Sequence, residues 1–420
     1  MIFIEKLKEN ITFAYCDNRY IRQRLVIELN CDLERDTMTA VSLLAFVLSS
    51  ATDKHRDMIS LSRYLDQLYG ASLYVSGHRV GTRMMLHFDT DCVSSRYLPD
   101  ESVGLNAVKL LCEVLAEPYL PDGVFPDSTI EIESEKLKEE IRFLINDKES
   151  YCTRMLMNEL FKGSKRSLPS LGFEEDIPKI SSLSLMEVYK KCLENCNVNI
   201  FYCGDQCDLV KQMLSSMIEE YGIGRSPVTY VNEPVVLPAD PFYIKEDART
   251  EQDIISMAFH SARIPDEKDL TVLKIANAIF GGMPTSRLFL NVREKQGLCY
   301  SCVSNRMTGG GSGILVEAST SKEKYEKSRE GILTEFVRLR DEGPSVDELE
   351  NAKHSLINST RSLFDTVSGA SSHYLAAVNS LRKYITPEEE IRLIQNVSGK
   401  DVQSCLDTMQ LCGLYRLTDE

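Results

Sequence analysis

The apolar positions of the chain fall into runs of two periods. In the first half, Arg24-Leu25-Val26-Ile27-Glu28-Leu29 is a dense apolar run that predicts a strand. Val41, Leu44, Ala45 and Leu48 then recur at i, i+3, i+4 and i+7, the stripe of a helix. Next comes Tyr64-Leu65-Asp66-Gln67-Leu68-Tyr69-Gly70-Ala71-Ser72-Leu73. Met84 to Asp89 alternates with the period of a strand. A helical pattern runs from about Val103 to Leu115, and a charged one from Ile130 to Asn146.

The second half repeats this order. Ile254 to Phe259 reads as a strand, and Val272, Ile275, Ala276, Ile279 and Phe280 keep helical spacing. Val292-Arg293-Glu294-Lys295-Gln296-Gly297-Leu298-Cys299-Tyr300 follows. Gly297 falls where Gly70 falls, Arg293 where Asp66 falls, and Tyr300 where Leu73 falls. A strand is predicted at Ile314–Ala318, then helices at about Lys322–Leu339 and Val346–Phe364. Between the halves stand Pro227, Pro234, Pro238 and Pro241, which suit neither a central helix nor a central strand. The offset of about 230 residues is far too long for a solenoid. It predicts a duplicated α+β domain: a first repeat over 1–225, a linker over 226–245 and a second repeat over 246–420.

Length agrees, since 420 residues exceed one ordinary core. With 43% hydrophobic and 26% charged residues, the composition is that of a globular chain. A net charge of −15 argues against nucleic acid and against anionic membrane surfaces, and is compatible with cationic peptides. Charges arrive by Glu5, with Lys6, Lys8 and Glu9 close behind, so no signal peptide is expected, and no apolar run approaches a membrane span. Thirteen scattered cysteines then read as free thiols in a reducing cytoplasm.

Several smaller patterns have structural readings. Cys192-x3-Cys196 and Cys203-x3-Cys207 lack the spacing of a zinc knuckle. Cys299-x2-Cys302 has redox spacing, but in a predicted strand residues three apart face opposite sides. Gly309 to Gly313 is glycine-rich without the Lys and Ser/Thr of a phosphate loop, and reads as a turn. Gly281-Gly282-Met283-Pro284 reads as a helix stop. His260, after a strand, reads as structural.

Two longer stretches carry a specific resemblance. Ala278-Ile279-Phe280-Gly281-Gly282-Met283-Pro284-Thr285-Ser286-Arg287-Leu288-Phe289, followed by Asn291 to Ser301, is similar to the second-repeat signature of the insulinase-like zinc metallopeptidases, the family of pitrilysin and the mitochondrial processing peptidase. Leu171-Gly172, Ile177, Ile180, Tyr189 and Gly204-Asp205, in that order, resemble the end of its first repeat. The resemblance implies an α+β fold of two homologous repeats. Each would be a mostly antiparallel sheet of about six strands, with helices packed on one face.

Active members bind zinc through His-x-x-Glu-His on a helix. The two His lie one turn apart, and the Glu serves as base for the attacking water. Here the corresponding helix reads Thr39-Ala40-Val41-Ser42-Leu43-Leu44-Ala45-Phe46-Val47-Leu48. Ser42 and Phe46 stand at the His positions and Ala45 at the base position, so no zinc is expected in this chain. The six His (His55, His78, His87, His260, His354 and His373) include no two within a helical turn. Glu139 and Glu140 remain on the later helix, where a solvated face explains them.

The resemblance also implies that Arg293 and Tyr300 are the family's substrate-binding pair, which hydrogen-bonds peptide backbone at a zinc site. In two-chain members one subunit brings zinc and the other brings Arg–Tyr. The expectation is therefore a non-catalytic subunit, not an enzyme by itself, that works with a homologous zinc-bearing peptidase chain on unfolded peptide. The peptide would add along an edge strand at Ala71–Ser76. The chain is similar to the silent member of Gram-positive pairs, some of them associated with modification of elongation factor P. Two alternatives stay open. The chain could be a scaffold or homodimeric peptide-binding protein without a peptidase role. Arg293 could simply pair with a surface carboxylate while Tyr300 packs in a sheet.

Overall fold

Hydrophobic runs bounded by charge become strands buried on both faces, and the striped segments become helices that cover them. The computed structural model describes residues 2–16, 19–230, 235–308, 310–380 and 382–419. In chain order its strands are β1 Ile2–Lys8, β2 Ile11–Cys16, β3 Arg22–Asp32, β4 Ser72–Val80, β5 Arg83–Val93, β6 Cys196–Cys203, β7 Phe242–Asp247, β8 Asp253–Ser261, β9 Cys299–Met307, β10 Ser312–Thr320 and β11 Gln410–Thr418. The helices are α1 Met38–Leu48, α2 Met58–Gln67, α3 Val103–Ala116, α4 Asp127–Asn146, α5 Lys148–Leu160, α6 Ser182–Glu194, α7 Cys207–Glu220, α8 Glu267–Asn277, α9 Tyr325–Glu342, α10 Val346–Leu363, α11 Val367–Asn379, α12 Pro387–Asn396 and α13 Gly399–Asp407.

Two compact units result. The first comprises Met1–Arg142, Leu168–Tyr230 and Leu363–Asn379. Its sheet has the order β1-β2-β6-β3-β5-β4, with β2 and β6 parallel and the other pairs antiparallel. One face presents Leu25, Ile27, Leu29, Leu86 and Ile200 to apolar residues of α1, α3, α4, α6 and α7. Alternation sends Val26 and Phe201 to the other face. There α11 lies across the strands: the Phe201 and Tyr374 rings are 6.1 Å apart, and Arg24 donates to the hydroxyls of Ser368 (2.8 Å) and Ser371 (2.9 Å).

The second unit comprises Phe143–Ser167, Val231–Ser362 and Ser380–Glu420. Its sheet has the order β7-β11-β8-β10-β9, with β7 and β11 parallel. Met257, Phe259, Ile314 and Val316 face a core supplied by α8, α9 and α13, in which Phe259 stacks on Phe336 at 3.9 Å. On the opposite face, Cys152, Leu156 and Leu160 of α5 pack against Ala258, Leu315 and Tyr415.

The strand orders correspond: β2-β6-β3-β5-β4 in one unit is matched by β7-β11-β8-β10-β9 in the other. The fold is thus α+β with two repeats. Among the described residues the second sheet has five strands rather than six, with no counterpart of β1. Besides the helices of the main face, each unit carries one on the other face, α11 or α5. Of the proline-rich stretch, 227–230 and 235–241 form neither helix nor strand, and β7 begins at Phe242, inside the predicted 226–245. Pro234 and Gly309 lie outside the described residues. No helix among the described residues is long and apolar enough to cross a membrane.

Candidate functional site

The segment that carries Arg293 is wound unusually. Leu288–Lys295 forms π-helical turns, a rare form frequently found at functional sites. Leu288 and Val292 are buried in the core, which leaves Arg293 on the outer side. The chain then reverses at Gly297, whose φ of +60° lies in the left-handed region that glycine enters without strain. Three side chains pin this turn. The hydroxyls of Thr320 and Ser328 donate to the Leu298 carbonyl at 2.6 and 3.1 Å, and the Lys324 ammonium donates to the Gly297 carbonyl at 2.8 Å.

β9 follows, at the edge of its sheet. Its register against β10 pairs Ser301 with Ser319 and Cys299 with Thr320, so Tyr300 is an extra residue, a β-bulge. Bulges re-aim side chains beside functional sites. Here the bulge turns the Tyr300 ring outward, 58% exposed. Arg293 Nε donates to the Tyr300 carbonyl at 3.0 Å, and the guanidinium sits 4.7 Å from the centre of the Phe289 ring. Glu294 is the nearest carboxylate, at 3.7 Å and in an exposed setting where an ion pair contributes little. Arg293 and Tyr300 are therefore brought together, with the remaining guanidinium N–H groups and the phenol at an open strand edge. Such a pair can donate to peptide carbonyls and stabilise negative charge developing on one.

The first unit has the matching turn with different chemistry. Tyr69 and Gly70 have φ of 57° and 68° and lead into β4, the edge strand of that sheet. β4 spans Ser72–Val80, longer than the predicted Ala71–Ser76. Its register has no bulge: Leu73 pairs directly with Thr90 and packs against the core. Beside this strand lies α1. Ser42 and Ala45 are fully buried, Phe46 is half-buried, and the Ser42 hydroxyl is committed to the Met38 carbonyl at 3.4 Å. β4 approaches α1 through Gly77, where an added Cβ would meet the Val41 carbonyl oxygen at 2.5 Å and Ser42 Cα at 3.1 Å. These residues do not fit a zinc ion, since a committed hydroxyl, a methyl and a phenyl ring offer no ligand set. Among the described residues no three His, Cys, Asp or Glu converge as metal ligands.

Other predicted positions are dispersed. Glu139 and Glu140 are exposed on α4. The carboxylate that α4 turns inward is Glu133, which pairs with Lys136 at 2.7 Å. Its spacing from Ile130 and Leu137 on one stripe could have revealed it. His55 stacks on Tyr64, and His354 is exposed. His260 is buried beside Phe161, Gly311 and Gly313, and burial, then the Arg166 cation, hold it neutral down to about 4. Cys196 and Cys203 are the two ends of β6.

One pairing runs against the sequence expectation. Cys299 and Cys302 were expected on opposite sides of a strand, yet both are buried in the same core. The bulge at Tyr300 supplies the extra residue that brings them to one face.

Sequence reading also misses a polar row on the α11 side of the first sheet. Asn199, Glu28, His87 and Ser76 are successive ladder partners on β6, β3, β5 and β4. His87 Nδ1 lies 3.2 Å from the carboxylate of Glu28, itself only 1% exposed, and Asn379 donates to the same oxygen at 3.1 Å. Burial alone would disfavour the imidazolium. The Asp89 carboxylate 3.9 Å away and the hydrogen bond to Glu28 outweigh it and raise His87 to about 9.

One unit thus carries an exposed Arg–Tyr pair at an edge strand, and the other a closed helix whose Ser42, Ala45 and Phe46 do not fit a zinc ion. Residues 179–356 match the Peptidase M16 inactive domain, and the chain is similar to M16 proteins of the inactive type. The probable inactive metalloprotease YmfF of Bacillus subtilis is 25% identical over 397 residues, covering 94% of this chain and 92% of its own length. YmxG of the same bacterium, an uncharacterized zinc protease, is 25% identical over 250 residues, 58% of each chain. Two crystal structures share the fold over this whole chain. A conserved protein from Enterococcus faecalis superposes with a TM-score of 0.87 at 23% identity, over 99% of its length. A peptidase M16 inactive domain from Pseudomonas fluorescens does so with 0.80 at 17%, over 98% of its length.

Proposed function

We propose that this chain is the non-catalytic, substrate-binding subunit of a heterodimeric M16 peptidase. Arg293 and Tyr300 serve a zinc site that belongs to a homologous, His-bearing partner. The observation that carries this reading is the exposed pair itself, fixed by a bulge and by a hydrogen bond within the pair, in a chain whose α1 has no ligands to offer. The guanidinium and the phenol hold peptide backbone at the partner's site, and the phenol adds a donor toward the carbonyl under attack. Unfolded peptide adds as a further strand along β4, the edge strand of its sheet, ahead of Arg79, whose N–H donates to the Ser170 carbonyl at 2.9 Å.

In this reading residues 1–225 and 246–420 are two copies of one repeat, joined by 226–245, and the matched strand order supports it. Ser42, Ala45 and Phe46 occupy the former zinc-site positions, and zinc belongs to the partner alone. Thirteen cysteines without a disulfide support a reducing, cytoplasmic setting, and the bacterial relatives support a bacterial source.

The test is reconstitution. The pure chain should cleave no peptide, and mixing it with its partner should produce cleavage. Arg293→Ala or Tyr300→Phe should then lower kcat/KM by about tenfold or more. Full activity in both mixtures would leave the scaffold reading in place instead.

A further inference from the structure

The bulge at Tyr300 does more than turn one ring. It spreads Cys299 to Cys302, three residues, over Thr320 to Ala318, two residues, of the partner strand. Two residues of strand span about 6.6 Å, inside the window of roughly 4.4–6.8 Å between Cα atoms joined by a disulfide. An unbulged strand would hold residues three apart at about 10 Å and on opposite faces. Here both thiols enter one core cluster, Cys299 7% and Cys302 1% exposed.

Their surroundings divide the roles. The Cys302 thiol, then the Ser328 hydroxyl and the Lys324 cation nearby, lower the Cys299 thiol from its ordinary value. Together they favour the Cys299 thiolate against its burial. Cys302, deeper and acting as donor, is held strongly as the thiol. Cys299 also adjoins the turn at Gly297 and Leu298, where the core meets solvent. A more acidic, outer thiol beside a protonated inner one is the arrangement of an attacking and a resolving pair.

We infer that Cys299 and Cys302 form a reversible dithiol–disulfide switch that moves the Tyr300 bulge. The oxidant is a low-molecular-weight disulfide such as glutathione disulfide. The Cys299 thiolate attacks one of its sulfurs and forms a mixed disulfide, and one glutathione thiolate leaves. Cys302 then attacks Cys299 Sγ, its proton passing to the second departing glutathione. The protein loses two hydrogens, and two glutathione molecules are produced. External thiol reverses both steps.

Closure fixes the two Cβ atoms at about 3.8 Å from each other. The residues between them, Tyr300 and Ser301, are thereby pushed further out of register. Tyr300 is where Arg293 is anchored, so oxidation shifts the pair as a unit. The chemistry does not depend on the clamp reading and can be tested without a peptide or a partner.

The full chain is equilibrated in a series of glutathione redox buffers, trapped by alkylation and mapped by mass spectrometry. As the buffer becomes oxidising, the peptide carrying residues 299–302 should lose both alkyl groups and become lighter by two hydrogens. Amide hydrogen exchange in that peptide should accelerate several-fold while the other strands of the sheet keep theirs. Cys302→Ala should stop at a glutathione adduct on Cys299, and Cys299→Ala should leave Cys302 as the free thiol. Alkylation of both thiols in every buffer, or linkage to other cysteines, overturns the pairing. A disulfide that leaves exchange unchanged overturns the switch. The wild-type measurements stand even if a variant does not fold.

Discussion

Between pH 6.5 and 9 the folded chain should lose stability through one side chain. His87 lies between Glu28, paired across the strands, and Asp89, with its ring edge to Tyr74 at 6.1 Å. Burial opposes its charge, but the nearby Asp89 carboxylate and the hydrogen bond to Glu28 raise it from 6.5 to about 9. Below pH 6.5 the ring is protonated whether the chain is folded or not, and the contribution is fully present. Above 6.5 only the folded chain keeps the proton, so stability falls with pH until about 9, where the contribution is gone. An interval of that width corresponds to about 3 kcal/mol, a slope of about 1.4 kcal/mol per pH unit. The ring is 15% exposed, so solvent screening removes little of it. The chain has no Trp, so urea unfolding is best followed by circular dichroism at pH 6.5, 7.5 and 8.5. The difference between wild type and His87→Gln cancels other titrating groups, buried thiols included. That difference should shrink steadily with pH, and Glu28→Gln should flatten it. A difference that stays constant from 6.5 to 8.5 would refute the charged-ring account.

Two further outcomes follow from glycines. Gly77→Val places atoms against the Val41 carbonyl of α1, which cannot turn aside, and should destabilise the chain by about 1–3 kcal/mol in the same urea assay. Gly297→Ala meets nothing within 4 Å, so its cost is the left-handed backbone alone, about 1 kcal/mol; a loss as large as that of Gly77→Val would mean the turn is packed rather than only bent.

Much of the main-face architecture was legible. The apolar runs at β3, β5, β8 and β10 and the stripes of α3 and α10 announced themselves because one side of each faces a single core. The second faces were not. In α5, Cys152, Leu156 and Leu160 form a visible stripe, but nothing local says which sheet that stripe covers. Glu28 and His87 are 59 residues apart and meet only through strand register, which a sequence does not print. The Tyr300 bulge is a register feature as well. Alternation along β9 gave the wrong faces for Cys299 and Cys302 for that reason. The pair Arg293 and Tyr300 was legible as a resemblance, whereas its anchoring by the backbone carbonyl was not.

The burial of α1 bears on the history of the chain. Ten of its eleven residues are enclosed, Ser42 and Ala45 completely. Once small and apolar side chains settled there, each gain in packing made an imidazole or carboxylate costlier to reinstate, because it would arrive without water or counter-ion. Restoring single residues would have to pass through less stable chains before any metal could compensate. The helix thus acts as a ratchet, in which dense packing itself keeps polar ligands out.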